Sequence, residues 1–144
     1  GRFLLESYLV SNTVEGQNLT EITAQRGRQF SEKRDWIDDL ARFLARMHGR
    51  QVANRDLKGA NVVVSRTRSG RYDIFMVDFD GVEIGPVSWR VRVKNLTRLA
   101  REFRGSAAIT RTDRLRFLRT YLGPRFADRW KRCWRGIARQ ADVD

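Results

Sequence analysis

Asp56, Lys58 and Asn61 fall within six consecutive residues, in the stretch NRDLKGANVVV, and Asp78 follows 22 residues after Asp56. A carboxylate, a cation and an amide at this spacing, with a second carboxylate further on, match what phosphoryl transfer from a nucleotide asks of a protein. That chemistry needs a carboxylate near the accepting hydroxyl, a positive charge beside the transferring phosphate, and oxygen ligands for a divalent metal. The plainer readings are turn or helix caps for the two aspartates and a solvated loop position for Lys58. Asp80 is either a second metal ligand or a replacement for a turn glycine, and the latter is preferred.

Positioning such groups requires rigid elements. Asn61 runs directly into Val62-Val63-Val64, and Asp78 ends the run Ile74-Phe75-Met76-Val77. Both apolar runs read as strands, which leaves the polar groups on loops held at the strand mouths. The segment SRTRSGRY between them supplies a hairpin turn. Upstream, RFLLESYLV reads as a strand entered in mid-fold, and the Gly16-bearing segment after it suits a loop into a short helix. A long helix is expected from Ser31 as N-cap to Gly49, with Trp36, Ile37, Leu40, Phe43, Leu44 and Met47 on one face of a 3.6-residue period. The segment DGVEIGPVSW is read as irregular. Three helices are expected after it, over 90–104, 112–122 with Thr112 as N-cap, and 124–140 with Phe126, Trp130, Trp134 and Ile137 on a core-facing stripe. His48 is read as a helix-end or core residue and Cys133 as packing.

At 144 residues the chain has the size of one domain. No stretch approaches the roughly 18 apolar residues of a membrane span, and one cysteine permits no internal disulfide. The latter fits a reducing cytosol. Charge is unevenly placed: residues 1–85 hold 13 Lys and Arg against 12 Asp and Glu, and residues 86–144 hold 16 against 5. The first stretch is therefore nearly neutral and the second carries a net +11, a field that favours an anionic partner. The competing explanation is compositional, since 25 of the 29 basic residues are arginine.

NRDLKGANVVV resembles the H-R-D-L-x-x-x-N catalytic loop of the protein-kinase fold, and VDFDG resembles its D-F-G metal-binding turn. Asp-Phe-Asp, together with the downstream KNLTRLAREF and TRTDRLRFLRTYLG, is similar to the bacterial lipopolysaccharide kinases that phosphorylate Kdo or heptose of the inner core. The resemblance implies an α+β, mainly α fold, the C-terminal lobe of a kinase, with a small β-hairpin carrying the active site. It implies that Asp56 orients the sugar hydroxyl, Lys58 neutralises the transferring phosphate, and Asn61 and Asp78 hold Mg²⁺ or Mn²⁺. Val63 would form the floor under the adenine of ATP, and the backbones of Glu6 and Tyr8, in LLESYL, would meet its edge as the hinge. Asn54 stands where the family's loop has His, which puts the loop's rigidity in question.

On this reading residues 1–144 form a single C-terminal lobe that begins at the hinge strand and lacks the N-terminal lobe, and they are expected to be inactive alone. The implied partners are ATP and an anionic glycolipid, the lipopolysaccharide core, with a cytoplasmic location and peripheral contact with the inner membrane. Two alternatives stand beside it: a protein or small-molecule kinase of the same fold, and a basic non-catalytic module. Nucleic acid is not the expected partner, because no zinc-finger or RNP pattern accompanies the charge.

Overall fold

The computed structural model describes residues 13–25 and 33–142. The expected hinge strand, with Glu6 and Tyr8, and the Ser31 cap lie outside them. The architecture is mainly helical with short antiparallel strands, the α+β class expected.

Strands β1 (Gln17–Asn18), β3 (Val62–Arg66) and β4 (Tyr72–Met76) form one sheet in the order β1-β3-β4. The β3–β4 hairpin pairs Val62 with Met76 and Arg66 with Tyr72, and its tip closes where the Thr67 amide donates to Arg71 O at 2.8 Å and Gly70 takes φ 81°. Val62 and Val64 are buried while Val63 between them is half-buried, as the period-2 alternation of a strand requires. The short helix α1 (Leu19–Gln25) lies against this sheet.

Helix α2 (Lys33–Gly49) buries Trp36, Ile37, Leu40, Leu44 and Met47 as its pattern predicts, and Phe43 packs at the edge of the same core. Full burial of a leucine such as Leu44 contributes about 2 kcal/mol. The helix stops at Gly49, but the residue that turns left-handed is Gln51, at φ 62°. It leads into β2 (Val52–Asn54).

The segment expected to be irregular contains a strand, β5 (Val82–Ile84), paired antiparallel with β2. Helices α3 (Trp89–Glu102), α4 (Arg111–Leu122) and α5 (Trp130–Asp142) follow. The N-cap of α4 is Thr110 and not Thr112: its hydroxyl accepts from the Asp113 amide while the Asp113 carboxylate accepts from the Thr110 amide. This reciprocal box needs an acid three residues after the cap, which Thr110 has and Thr112 lacks. Asp113 also pairs with Lys33 at 2.7 Å, and the Lys33 ammonium donates to Ala108 O at 3.0 Å. One buried cation thus fastens the start of α2 to the start of α4. Burial pushes the Asp113 carboxyl up, but the bonds from Lys33 and Thr110 outweigh it and leave it below the usual range.

The expected helix over 124–140 is broken. Pro124–Arg129 is a 3-10 segment with Phe126 at φ −125°, and the α-helix begins only at Trp130. Within α5 Cys133 is buried, and burial raises its thiol to about 11. Trp130, Trp134 and Ile137 pack against the core but stay half-buried, and cationic groups cover the tryptophan faces, Lys131 and Arg119 on Trp130 and Arg111 on Trp134. An apolar cavity of about 540 Å³ separates α5 from α2, with Trp36, Leu99, Phe103, Phe117 and Trp134 in its wall.

Candidate active site

The loop from Asn54 to Asn61 starts on β2 and ends in a 3-10 turn, Gly59–Asn61, that feeds β3. The acidic turn around Asp78 starts beyond β4 and ends on β5. Because β2 pairs with β5 and β3 with β4, both loops are gripped at each end. Direct backbone bonds join them as well: the Arg55 amide donates to Gly81 O at 2.7 Å and the Val77 amide to Asn61 O at 2.9 Å.

The four residues expected to do chemistry converge. Lys58 Nζ lies 2.7 Å from Asp56 Oδ2. The Asn61 amide nitrogen reaches Asp56 Oδ2 at 3.5 Å and Asp78 Oδ2 at 3.4 Å. The hydrogen bond from Lys58 holds the Asp56 carboxyl below its ordinary value and in return raises the Lys58 ammonium. Asp78 has φ 67°, a conformation that Asp tolerates better than most residues, and its Oδ1 accepts from the Asp80 amide at 3.3 Å. Asp80 is exposed in that turn. Val63 occupies the less buried face of β3.

This donor set fits a hard divalent cation. Asp78 offers carboxylate oxygens, Asn61 faces it through the amide nitrogen at 3.4 Å and would present its amide oxygen to an ion once that amide is turned over, and among the described residues no three His, Cys, Asp or Glu side chains gather into a cage. A metal here would complete its shell with phosphate oxygens and water, as Mg²⁺ commonly does.

Asn54 answers the question that the missing His raises. Its side chain is fully buried, and its carbonyl accepts from the Asp56 amide at 2.7 Å. That carbonyl also leaves no room for a side chain at residue 81. A Cβ on Gly81 would lie 2.4 Å from Asn54 Oδ1 and 2.8 Å from the Asp56 nitrogen. The glycine is therefore required by close approach of the two loops.

Three residues of α3 that sequence reasoning passed over hold the same loop. Asn95 Oδ1 accepts from the Asn54 amide at 3.2 Å, Arg98 bonds Asp56 Oδ1, and Glu102 Oε2 accepts from the Gly59 amide at 2.8 Å. They stand at i, i+3 and i+7, so one helical face reads the loop from end to end. The legible signal was this polar stripe beside the apolar one of Leu96, Leu99 and Phe103.

Behind Asn95 lies a buried polar chain. Asn95 Oδ1 also faces His48 Nε2 at 3.1 Å, so Nε2 carries the proton. His48 Nδ1 then accepts from the Tyr121 hydroxyl at 2.7 Å, and Arg92 donates to that hydroxyl at 3.3 Å. His48 is 1% exposed, and burial lowers its pKa to about 4 despite the Asn95 bond. The imidazole is a neutral strut between α2, α4 and the site, as its reading as a core residue predicts.

No curated protein sequence matches the chain. Among solved structures, one titled "WaaP in complex with acyl carrier protein" superposes with a TM-score of 0.77 at 21% identity, covering 91% of this chain. The chain spans 58% of that relative's length, and the two share a fold over that part. The sequence profile described as "Lipopolysaccharide kinase (Kdo/WaaP) family" matches residues 2–121, which takes in the catalytic-type loop, the acidic turn, α3 and nearly all of α4. With that match over most of its length and the family's protein-kinase-like fold around the converged site, this chain belongs to the lipopolysaccharide kinase (Kdo/WaaP) family.

Proposed function

We propose that the protein transfers the γ-phosphoryl group of ATP to a sugar hydroxyl of the lipopolysaccharide inner core. The observation that carries this reading is the convergence of Asp56 and Asp78 on the Asn61 amide, with Lys58 on Asp56. Asp56 would accept a hydrogen bond from the sugar hydroxyl and so aim its oxygen at phosphorus. Because Lys58 keeps this carboxyl weakly basic, Asp56 orients early and takes the proton late, as the new O–P bond forms and the bond to ADP breaks. Lys58, at hydrogen-bond distance from Asp56 now, would offer its charge to the transferring phosphate. Asn61, through its amide oxygen, and Asp78 would hold Mg²⁺ or Mn²⁺, which supplies neutralisation of phosphate charge when bound. Val63 and the backbones of Glu6 and Tyr8 would receive the adenine.

We read these residues as belonging to the C-terminal lobe of that enzyme. The test uses full-length protein with labelled ATP and either metal, scoring label on lipopolysaccharide core, casein and an aminoglycoside. Label on the core sugar, reduced at least a hundredfold in both Asp56→Asn and Asp78→Asn, is the expected result. Label on casein or the aminoglycoside alone would replace the substrate and keep the mechanism. Transfer to none of them would return the chain to a non-catalytic binding role.

We place this activity at the cytoplasmic face of the inner membrane. No helix among the described residues is long and apolar enough to cross a membrane, while the +11 carried by residues 86–144 suits a peripheral contact with anionic lipid. Co-sedimentation with anionic vesicles that fades on raising salt and is absent with neutral vesicles is expected. Equal binding to both vesicle types would remove the electrostatic contact.

A further inference from the structure

The stripe on α3 contains one member that does not behave like the others. Asn95 and Glu102 accept from loop backbone, at the Asn54 and Gly59 amides, and so hold the loop's shape. Arg98 instead bonds the Asp56 side chain. Only one of its terminal nitrogens is engaged, its other donors have no partner among the described residues, and its side chain is 51% exposed. A guanidinium fork that is half used and open to solvent is suited to a carboxylate or a phosphate.

The two edges of the Asp56 carboxylate also face different things. Lys58 and the Asn61 amide lie at Oδ2, the edge that the Asn61 amide links to Asp78. Arg98 lies at Oδ1. If phosphate and metal occupy the Oδ2 edge, an acceptor hydroxyl approaching the other edge enters beside Arg98. A neutral sugar would meet an arginine held by a carboxylate and gain little from it. An acceptor with a carboxylate or phosphate near its reactive hydroxyl would fill the open half of the fork. One guanidinium would then join Asp56 to the acceptor and fix the distance between hydroxyl and carboxylate.

We propose that Arg98 determines acceptor specificity, selecting sugars that carry an anionic group next to the hydroxyl to be phosphorylated. This rests on the proposed transfer to a core sugar and names the feature of that sugar which the site reads. Lys58 and Arg98 then divide the work, one cation for the donor's charge and one for the acceptor's.

The test measures binding as well as transfer, so that the two ideas can fail separately. Full-length protein and its Arg98→Gln and Arg98→Lys variants are titrated calorimetrically with core oligosaccharide in native, dephosphorylated and carboxyl-reduced forms, and KM and kcat are measured for each. Wild type should prefer the native form over at least one stripped form by tenfold or more. The form that loses binding identifies the group as phosphate or carboxylate. In Arg98→Gln that preference should shrink to near one, through KM more than kcat, and Arg98→Lys should restore part of it because the charge returns without the fork. A preference that survives in Arg98→Gln, or a wild type that binds all three forms equally or none of them, overturns the inference. Anion-selective binding through Arg98 without any transfer would uphold it and sink the proposed reaction instead.

Discussion

His48 takes a second proton at Nδ1, the atom that accepts from Tyr121, so charging it removes the acceptor of the Tyr121 hydroxyl proton. Its pKa falls from 6.5 in the unfolded chain to about 4 in the fold. A base whose folded pKa is depressed contributes stability that is complete above the unfolded value and lost as pH drops through the folded one. Unfolding free energy measured by urea titration should therefore decline between pH 6.5 and pH 4, by about 3 kcal/mol from this residue. In His48→Gln that segment of the pH profile should flatten. An unchanged slope would mean that the imidazole is not the titrating group. Single residues were also where the sequence was most legible, since Asp56, Lys58, Asn61 and Asp78 stand out by type and spacing and the fold brings them together, while the roles proposed for them come from the family resemblance. Arg98 does not stand out, because it reaches Asp56 across 42 positions, and only the packing of α3 against the loop discloses which of many exposed arginines arrives there.

Among the elements, the two short ladders explain why the acidic turn tolerates a left-handed aspartate and a tight glycine. Replacing Gly81 by alanine would force its Cβ against the Asn54 carbonyl and the Asp56 backbone. Overpacking of this kind costs about 1–3 kcal/mol, and here the displaced atoms belong to the catalytic-type loop. Gly81→Ala should thus lower the melting temperature and reduce kcat more strongly than it weakens overall stability. Normal turnover in a correctly folded variant would show that the close approach is dispensable. The element that escaped sequence reading, β5, is three residues long and exposes both Glu83 and Ile84, the latter at 84%. It carries no apolar alternation to detect, and it exists because β2 needs a partner. The long helix α2 and the β3–β4 hairpin were visible because burial stamps a period on them. The break before α5 was not, because Pro124 is as acceptable at the first turn of a helix as in a 3-10 segment.

For the molecule as a whole, the family assignment and the fold agree with the motifs, while the charge explains itself only in three dimensions. Arginines of the basic half cover the tryptophans of α5, tie α3 to α5 and, at Arg98, enter the site. Composition alone shows the excess and not this division of labour. The stitching of the two loops has a further consequence for their motions. The amide hydrogens of Arg55, Val77 and Val82 close bonds within or between the loops, so neither loop can open far without releasing the other, and the pair should exchange hydrogen with solvent as one cooperative unit. A nucleotide or metal bound on the Asp78 side would then slow exchange at Arg55, although it touches no atom of that residue. Occupancy of the site could be read from a backbone position that takes no part in the chemistry.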